Sequence, residues 1–110
     1  MPKAVAISKY VKVNPRKTRE IAGLIRNKLV ADAIFQLTNC PKKGARYLKK
    51  TLISAIANAE NNLGLRREDL VVSEVRVDAG PFLKRAWSRS RGRRSAIQHK
   101  TSHLYIALNG

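Results

Sequence analysis

One stretch constrains the fold of this chain more than any other. Between Lys43 and Leu63 the apolar residues Ala45, Leu48, Leu52, Ala55, Ile56, Ala59 and Leu63 recur with the helical period of about 3.6 residues. The spacing predicts one long helix with an apolar stripe that another layer must cover. Gly64 follows directly and supplies a helix stop. The opposite face carries Lys42, Lys43, Arg46, Lys49 and Lys50. The segment Ser54-Ala-Ile-Ala-Asn-Ala-Glu-Asn61 is rich in small residues, which let a helix approach a sheet closely. Asn58 within it needs a hydrogen-bond partner if it is buried.

The elements that supply the covering layer are shorter. Residues 3–13 are β-branched and partly alternating, with Val5, Ile7, Val11 and Val13 on one parity and Lys9 interrupting it, so a strand is expected. Asn14 and Pro15 suit the cap and first position of a helix. Thr18, Ile21, Ala22 and Ile25 form its stripe, Leu24 flanks it, and Asn27 is placed to end it in a left-handed conformation. A second short helix spans Val30–Asn39, with Ala33, Ile34 and Leu37 inward, and Asn39-Cys40-Pro41 breaks it. In the next strand Val71, Ser73, Val75 and Val77 alternate with Val72, Glu74, Arg76 and Asp78, so one face reads as core and the other as wet. In the last strand Leu104, Ile106 and Leu108 alternate with His103, Tyr105 and Ala107. Helices grouped between strands argue an α+β fold: three helices on one face of a small antiparallel three-stranded sheet.

That leaves residues 79–100, long for a structureless loop in a small domain. Read as two paired arms of about ten residues, they make a finger about 30 Å long at about 3.3 Å per residue, with Gly92 near its turn. The whole chain is then one domain, a body of residues 1–79 and 101–110 carrying an extended β-hairpin of residues 80–100.

Charge says what such a finger serves. The 110 residues hold 23 Lys and Arg against 7 acids, a net charge of +16, while a hydrophobic content of 44% excludes a disordered composition. All the acids lie between Glu20 and Asp78. Beyond Ala79 there is none, while Lys84, Arg85, Arg89, Arg91, Arg93, Arg94 and Lys100 crowd one stretch, with Ser88, Ser90 and Ser95 among them. Arginine forks onto phosphate and stacks on bases, so nucleic acid is the first partner to consider and an acidic membrane surface the second. A solvated loop, a localisation signal and a phosphorylated Arg-Ser segment are the competing readings of that stretch. With Arg16, Lys17 and Arg19 opening the first helix and the lysine face of the third, three basic patches suggest a partner that wraps around the protein. No zinc-finger, homeodomain or RNA-recognition-motif signature is present. Trp87 reads equally as a pin at the finger's base or as a stacking platform.

Catalysis finds little support. His99 and His103 lie four apart, on one face if they share a strand, but no carboxylate neighbours them in sequence and no Walker-type glycine loop is present. One cysteine, Cys40, and two histidines make no zinc site, so no metal or cofactor is expected. A lone cysteine cannot form an intramolecular disulfide and fits a reducing compartment. No apolar run has the length of a membrane span, and the N-terminus lacks a signal-peptide core. A cytosolic, non-membrane protein is expected, and an organelle-encoded copy would share these features.

Several motifs occur in order: Asn14-Pro15-Arg16-Lys17-Thr18-Arg19; Leu24-Ile25-Arg26-Asn27-Lys28; Ser54 through Asn62; Val77-Asp78-Ala79-Gly80-Pro81 with Lys84-Arg85; Arg89-Ser90-Arg91-Gly92-Arg93; and Lys100-Thr101-Ser102-His103. Together they resemble the bacterial-type L-twenty-two family of large-subunit ribosomal proteins, over essentially the whole chain. The resemblance implies a non-catalytic structural constituent of the cytoplasmic large subunit that binds its rRNA, supports assembly and contacts neighbouring large-subunit ribosomal proteins. It further implies a hairpin lining the nascent-peptide exit tunnel, facing the nascent peptide, near where macrolide antibiotics act. With the basic patches of the body read toward the same RNA, rRNA contacts are expected at Arg16, Lys17, Arg19, Lys42, Lys43, Lys49 and Lys50, at Lys84, Arg85, Arg89, Arg91, Arg93 and Arg94 along the hairpin, and at Lys100, Thr101 and His103 where it rejoins the body. The tunnel-lining tip comprises Lys84, Arg85, Arg89, Ser90, Arg91, Gly92 and Arg93. This chain departs from the family at Ser88, where Pro is common, and at Ser90 and Arg94, where small Ala is common. It also departs at Asn27 for Gly, at Asn61 for His, and at His99 for a basic residue. The alternative is a free nucleic-acid-binding protein of the nucleoid or RNA-chaperone type; a histidine-pair nuclease is a third reading.

Overall fold

The computed structural model describes residues 3–80, 83–86, 96–99 and 101–110, the two short stretches by their backbone alone. Strand β1 (Lys3–Val11) is followed by helices α1 (Pro15–Ile25), α2 (Val30–Thr38) and α3 (Lys43–Leu63). A single 3-10 turn (Arg67–Asp69) leads into β2 (Val71–Ala79), and short strands β3 (Leu83–Ala86) and β4 (Ala96–His99) precede β5 (Ser102–Asn109). The body is an antiparallel sheet of order β1-β5-β2, and β3 pairs antiparallel with β4 in a separate ladder. The expected α+β architecture of three helices and a three-stranded sheet is present.

Each helix starts and stops for a local reason. The Asn14 side chain accepts from the Arg16 N–H at 3.0 Å, capping α1 just before Pro15. Asn27 ends the α1 turn with φ +65°, and Gly64 closes α3 with φ +66°, the Leu65 N–H just beyond it donating to the Ala59 carbonyl at 3.1 Å. The α3 stripe is buried as its spacing requires: Ala45, Leu48, Leu52, Ala55, Ile56 and Ala59 are all 1% exposed or less. They pack with Ile21 and Ile25 of α1, with Val30, Ala33 and Leu37 of α2, and with Leu104, Ile106 and Leu108 of β5. Ile34 is only partly buried. Leu63 was expected inward but is 44% exposed, because it falls in the last turn, past the layer that the sheet covers.

Three strand readings need correction. The first strand ends at Val11 rather than residue 13, because the chain turns there and the Val13 N–H reaches back to the Val11 carbonyl. Within it the buried residues are Ala4 and Ala6, not the valine parity: Ile7 is 54% exposed. Small alanines let α3 lie close on β1, where Asn58 Nδ2 donates to the Val5 carbonyl at 2.9 Å and Ser8 and Thr51 share a hydroxyl hydrogen bond. In β2 the strict alternation fails at a bulge between Val72 and Glu74. Ser73 is the extra residue, its hydroxyl donating to the Ala107 carbonyl, so Val72, Val75 and Val77 face the core while Val71 and Ser73 do not.

Candidate nucleic-acid interface

The outer edge of β2 shows how part of the cationic inventory is used. An edge strand presents unpaired backbone groups that proteins cover. Here the Asn27 N–H donates to the Val72 carbonyl, and Val72 and Val30 donate in turn to Lys28 and Leu70. Further along, Arg26 Nη2 donates to the Val75 carbonyl at 2.7 Å and Arg19 Nε to the Val77 carbonyl at 2.8 Å. Sequence reasoning assigned Arg19 to the partner alone and passed over Arg26. Both are spent at least partly on holding α1 to the sheet.

The remaining cations converge. A groove of about 340 Å³ between the starts of α1 and α3 is lined by Asn14, Lys17, Thr18, Lys42, Lys43 and Gly44, among others. A second, of about 260 Å³, is lined by Asn14, Pro15, Arg16, Arg19, Ala79, Gly80 and Thr101. A third, of about 220 Å³, lies along α3 between Lys42, Arg46 and Lys49, with Cys40 and Pro41 opposite. The first two share Asn14 and the first and third share Lys42, so the three form one continuous belt. It carries Arg16, Lys17, Arg19, Lys42, Lys43, Arg46 and Lys49, and no acid lines any part of it. Two helix N-termini open onto it, neither with an acid in its first turn, and their partial positive charge adds to that of the side chains. Lys50 is exposed on the same helix but lines none of these grooves. So much like charge repels itself, and an anionic chain laid in the belt relieves that repulsion.

The belt ends where the hairpin leaves the body. The Gly80 N–H donates to the Thr101 carbonyl at 2.9 Å, and Ser102, fully buried, donates its hydroxyl to the Val13 carbonyl. A side chain at Gly80 would meet Thr101 Oγ1 at 2.5 Å and His103 Cε1 at 3.3 Å, so any larger residue at this root has to displace the Thr101 side chain. Thr101 itself is 1% exposed. His103 lies on the sheet face away from the helices, its Nδ1 accepting from the Tyr10 N–H at 3.1 Å. The two histidines do not share a strand: His99 ends β4 and His103 belongs to β5, with Thr101 between the two elements. Beyond the root, β3 and β4 pair in register from Leu83 with His99 to Ala86 with Ala96, placing Lys84 and Arg85 on a hairpin arm. The expectations for Arg89, Ser90, Arg91, Gly92, Arg93, Arg94, Lys100 and Trp87 lie outside the described residues. Among the described residues no group of three His, Cys, Asp or Glu side chains is placed to hold a metal, and no helix is long and apolar enough to cross a membrane.

The fold thus brings together a small α+β body, a cationic belt without an acid and a paired hairpin at the belt's end. Comparison with known proteins gives the family. Residues 6–109 match the model of "Ribosomal protein L22p/L17e". The chain is 55% identical to the large ribosomal subunit protein uL22 of Petrotoga mobilis, over 96% of its own length and 70% of the relative's. It is 56% identical to uL22 of Protochlamydia amoebophila over 99% and 98% of the two chains, and 54% identical to that of Chlamydia trachomatis over 94% and 93%. The chain belongs to the ribosomal protein L22p/L17e family, and as a member it is a structural constituent of the ribosome.

Proposed function

We propose that this protein binds large-subunit rRNA through the belt, holds neighbouring rRNA segments and ribosomal proteins together during assembly, and sends its hairpin along the nascent-peptide tunnel. The observation that carries the reading is the continuity of seven cations across three grooves that share lining residues and contain no acid. A belt that bends around α1 and α3 fits a partner that wraps. In this reading Arg16, Lys17, Arg19, Lys42, Lys43, Lys49 and Lys50 meet rRNA phosphate on the body, while Thr101, Lys100 and Arg94 serve at and beyond the hairpin root and His103 backs that root from the sheet side. Lys84, Arg85, Arg89, Ser90, Arg91, Gly92 and Arg93 face the tunnel and the nascent peptide, near the ground on which macrolides act. Family membership and the β3–β4 pairing support that assignment. The protein works in the cytoplasm, as its bacterial relatives' subunit does, without a cofactor and without catalysis.

The test is a salt titration of binding to large-subunit rRNA. If each belt cation neutralises one phosphate, log K falls against log salt with a slope of about −5 to −6, and replacing Lys17, Lys42 and Lys43 by Gln flattens it by about 2 to 3. An unchanged slope in the triple variant overturns the assignment of the belt. The nucleoid-type alternative predicts equal affinity for unrelated duplexes at the same salt.

A further inference from the structure

The helices cover one face of the β1-β5-β2 sheet, and no described element packs over the other. Register writes that open face as rows. Val5 stands opposite Ala107 and Ala107 opposite Glu74; Ile7 stands opposite Tyr105 and Tyr105 opposite Arg76; His103 stands opposite Asp78. Tyr10 completes the last row. It sits at the β1 bulge with φ +56°, a conformation rare for an aromatic residue, and its ring meets His103 edge-on at 4.9 Å. An apolar and aromatic lane on β1 and β5 thus runs beside a charged lane on β2. Ile7 and Tyr10, 54% and 61% exposed, stand at its centre and end.

The charge of this face is unlike that of the belt. Glu74 pairs with Lys3 at 3.9 Å and with Arg76 at 3.7 Å, and Asp78 is exposed with no ion pair among the described residues. Lys3 and Arg76 balance Glu74 and Asp78, with Lys9 at the bulge, on a chain of net charge +16. A phosphate backbone laid here meets Glu74 and Asp78 alongside Lys3, Arg76 and Lys9, and finds none of the acid-free positive charge that the belt offers. A nucleobase finds the Tyr105 ring already covered by the Arg76 guanidinium, 4.1 Å from its centroid. A polypeptide meets what protein interfaces favour, aromatic residues and arginine around an exposed apolar side chain with an acid at the rim.

The geometry points to this open sheet face as the docking surface for a basic protein segment, one that sets an apolar side chain over Ile7 between Tyr10 and Tyr105 and a Lys or Arg against Asp78. This goes beyond the rRNA reading and rests on it only for the particle in which the partner is sought. The test places the photo-crosslinking residue p-benzoylphenylalanine at Ile7, and separately at Lys49 on the belt, in large subunits isolated from cells. Mass spectrometry then identifies the adducts. Position 7 is expected to crosslink to a protein peptide bearing Lys or Arg, and Asp78→Lys to lower that yield several-fold while leaving the Lys49 adduct unchanged. An RNA adduct at position 7, no adduct, or a peptide without a basic residue overturns the inference. Loss of the RNA adduct at position 49 overturns the belt reading instead. If the position-7 variant fails to enter the subunit, the same probe at Val5 in the adjoining row reads the same surface with the same outcomes.

Discussion

Two glycines of neighbouring helices should respond to the same substitution with opposite sign. A Cβ on Gly44 would lie 2.7 Å from Thr18 Oγ1 and 3.2 Å from Ile21 Cδ1, at the point where α3 crosses α1. Thr18 cannot swing aside freely: it is 1% exposed and its hydroxyl donates to the Asn14 carbonyl at 2.8 Å. Gly44→Ala should therefore destabilise the free protein by about 1–3 kcal/mol, the usual cost of overpacking. Gly23, in α1, has no atom within 4 Å of such a Cβ, so Gly23→Ala should stabilise by about 0.5–1 kcal/mol through helix propensity. Urea denaturation midpoints of the two variants decide it, and shifts of the same sign contradict the crossing described here. Asn58 gives a third case at this scale. The Val5 carbonyl is the partner that its side-chain amide required, and Asn58→Ala should cost about 1 kcal/mol by leaving that carbonyl without its donor.

At the scale of the element, cations that look alike in the sequence divide into two kinds. Arg26 spends its guanidinium on the Val75 carbonyl at the β2 edge. Arg26→Gln should lower stability by about 1–2 kcal/mol and leave the salt slope of rRNA binding where it was. Lys43 lines the central groove of the belt. Lys43→Gln should flatten that slope by about 0.7–0.9 and hold stability within about 0.5 kcal/mol. Parallel denaturation and binding measurements separate the two, and a flattened slope for Arg26→Gln would contradict the division. The same contrast marks what the sequence made legible. The α3 stripe could be read because a period of about 3.6 over a long segment has no competing explanation, and the caps at Asn14 and Gly64 follow from local backbone chemistry. The facing of β1 and β2 could not. On β1 the buried parity belongs to alanines, whose value lies in letting α3 approach, and on β2 a single inserted serine shifts the register. The basic patches were visible one by one. Their continuity was not, because Asn14 and Lys42 join them only after α1 and α3 cross, nor was the diversion of Arg19 and Arg26, which depends on a strand about fifty residues away.

Across the whole molecule the surface is divided by charge: a belt of cations without acids leads to the hairpin root, while the open sheet face is near balance. A chain of net charge +16 held without its partner works against its own repulsion. Raising salt should therefore stabilise the free protein by screening while weakening its hold on rRNA, two trends of opposite sign over the same titration. Thermal melts and binding isotherms at matched ionic strengths check this, and a melting temperature that falls with salt would contradict it. The central claim is that belt and hairpin together seat the protein in the large subunit at a defined position rather than coat it with positive charge. The most direct measurement is cosedimentation of the protein with large subunits through a sucrose gradient, in low salt and again after a high-salt wash. Retention of one copy per large subunit after the wash is the predicted result. Release by the wash, or spread across all nucleic acid in the gradient without fixed stoichiometry, would contradict it.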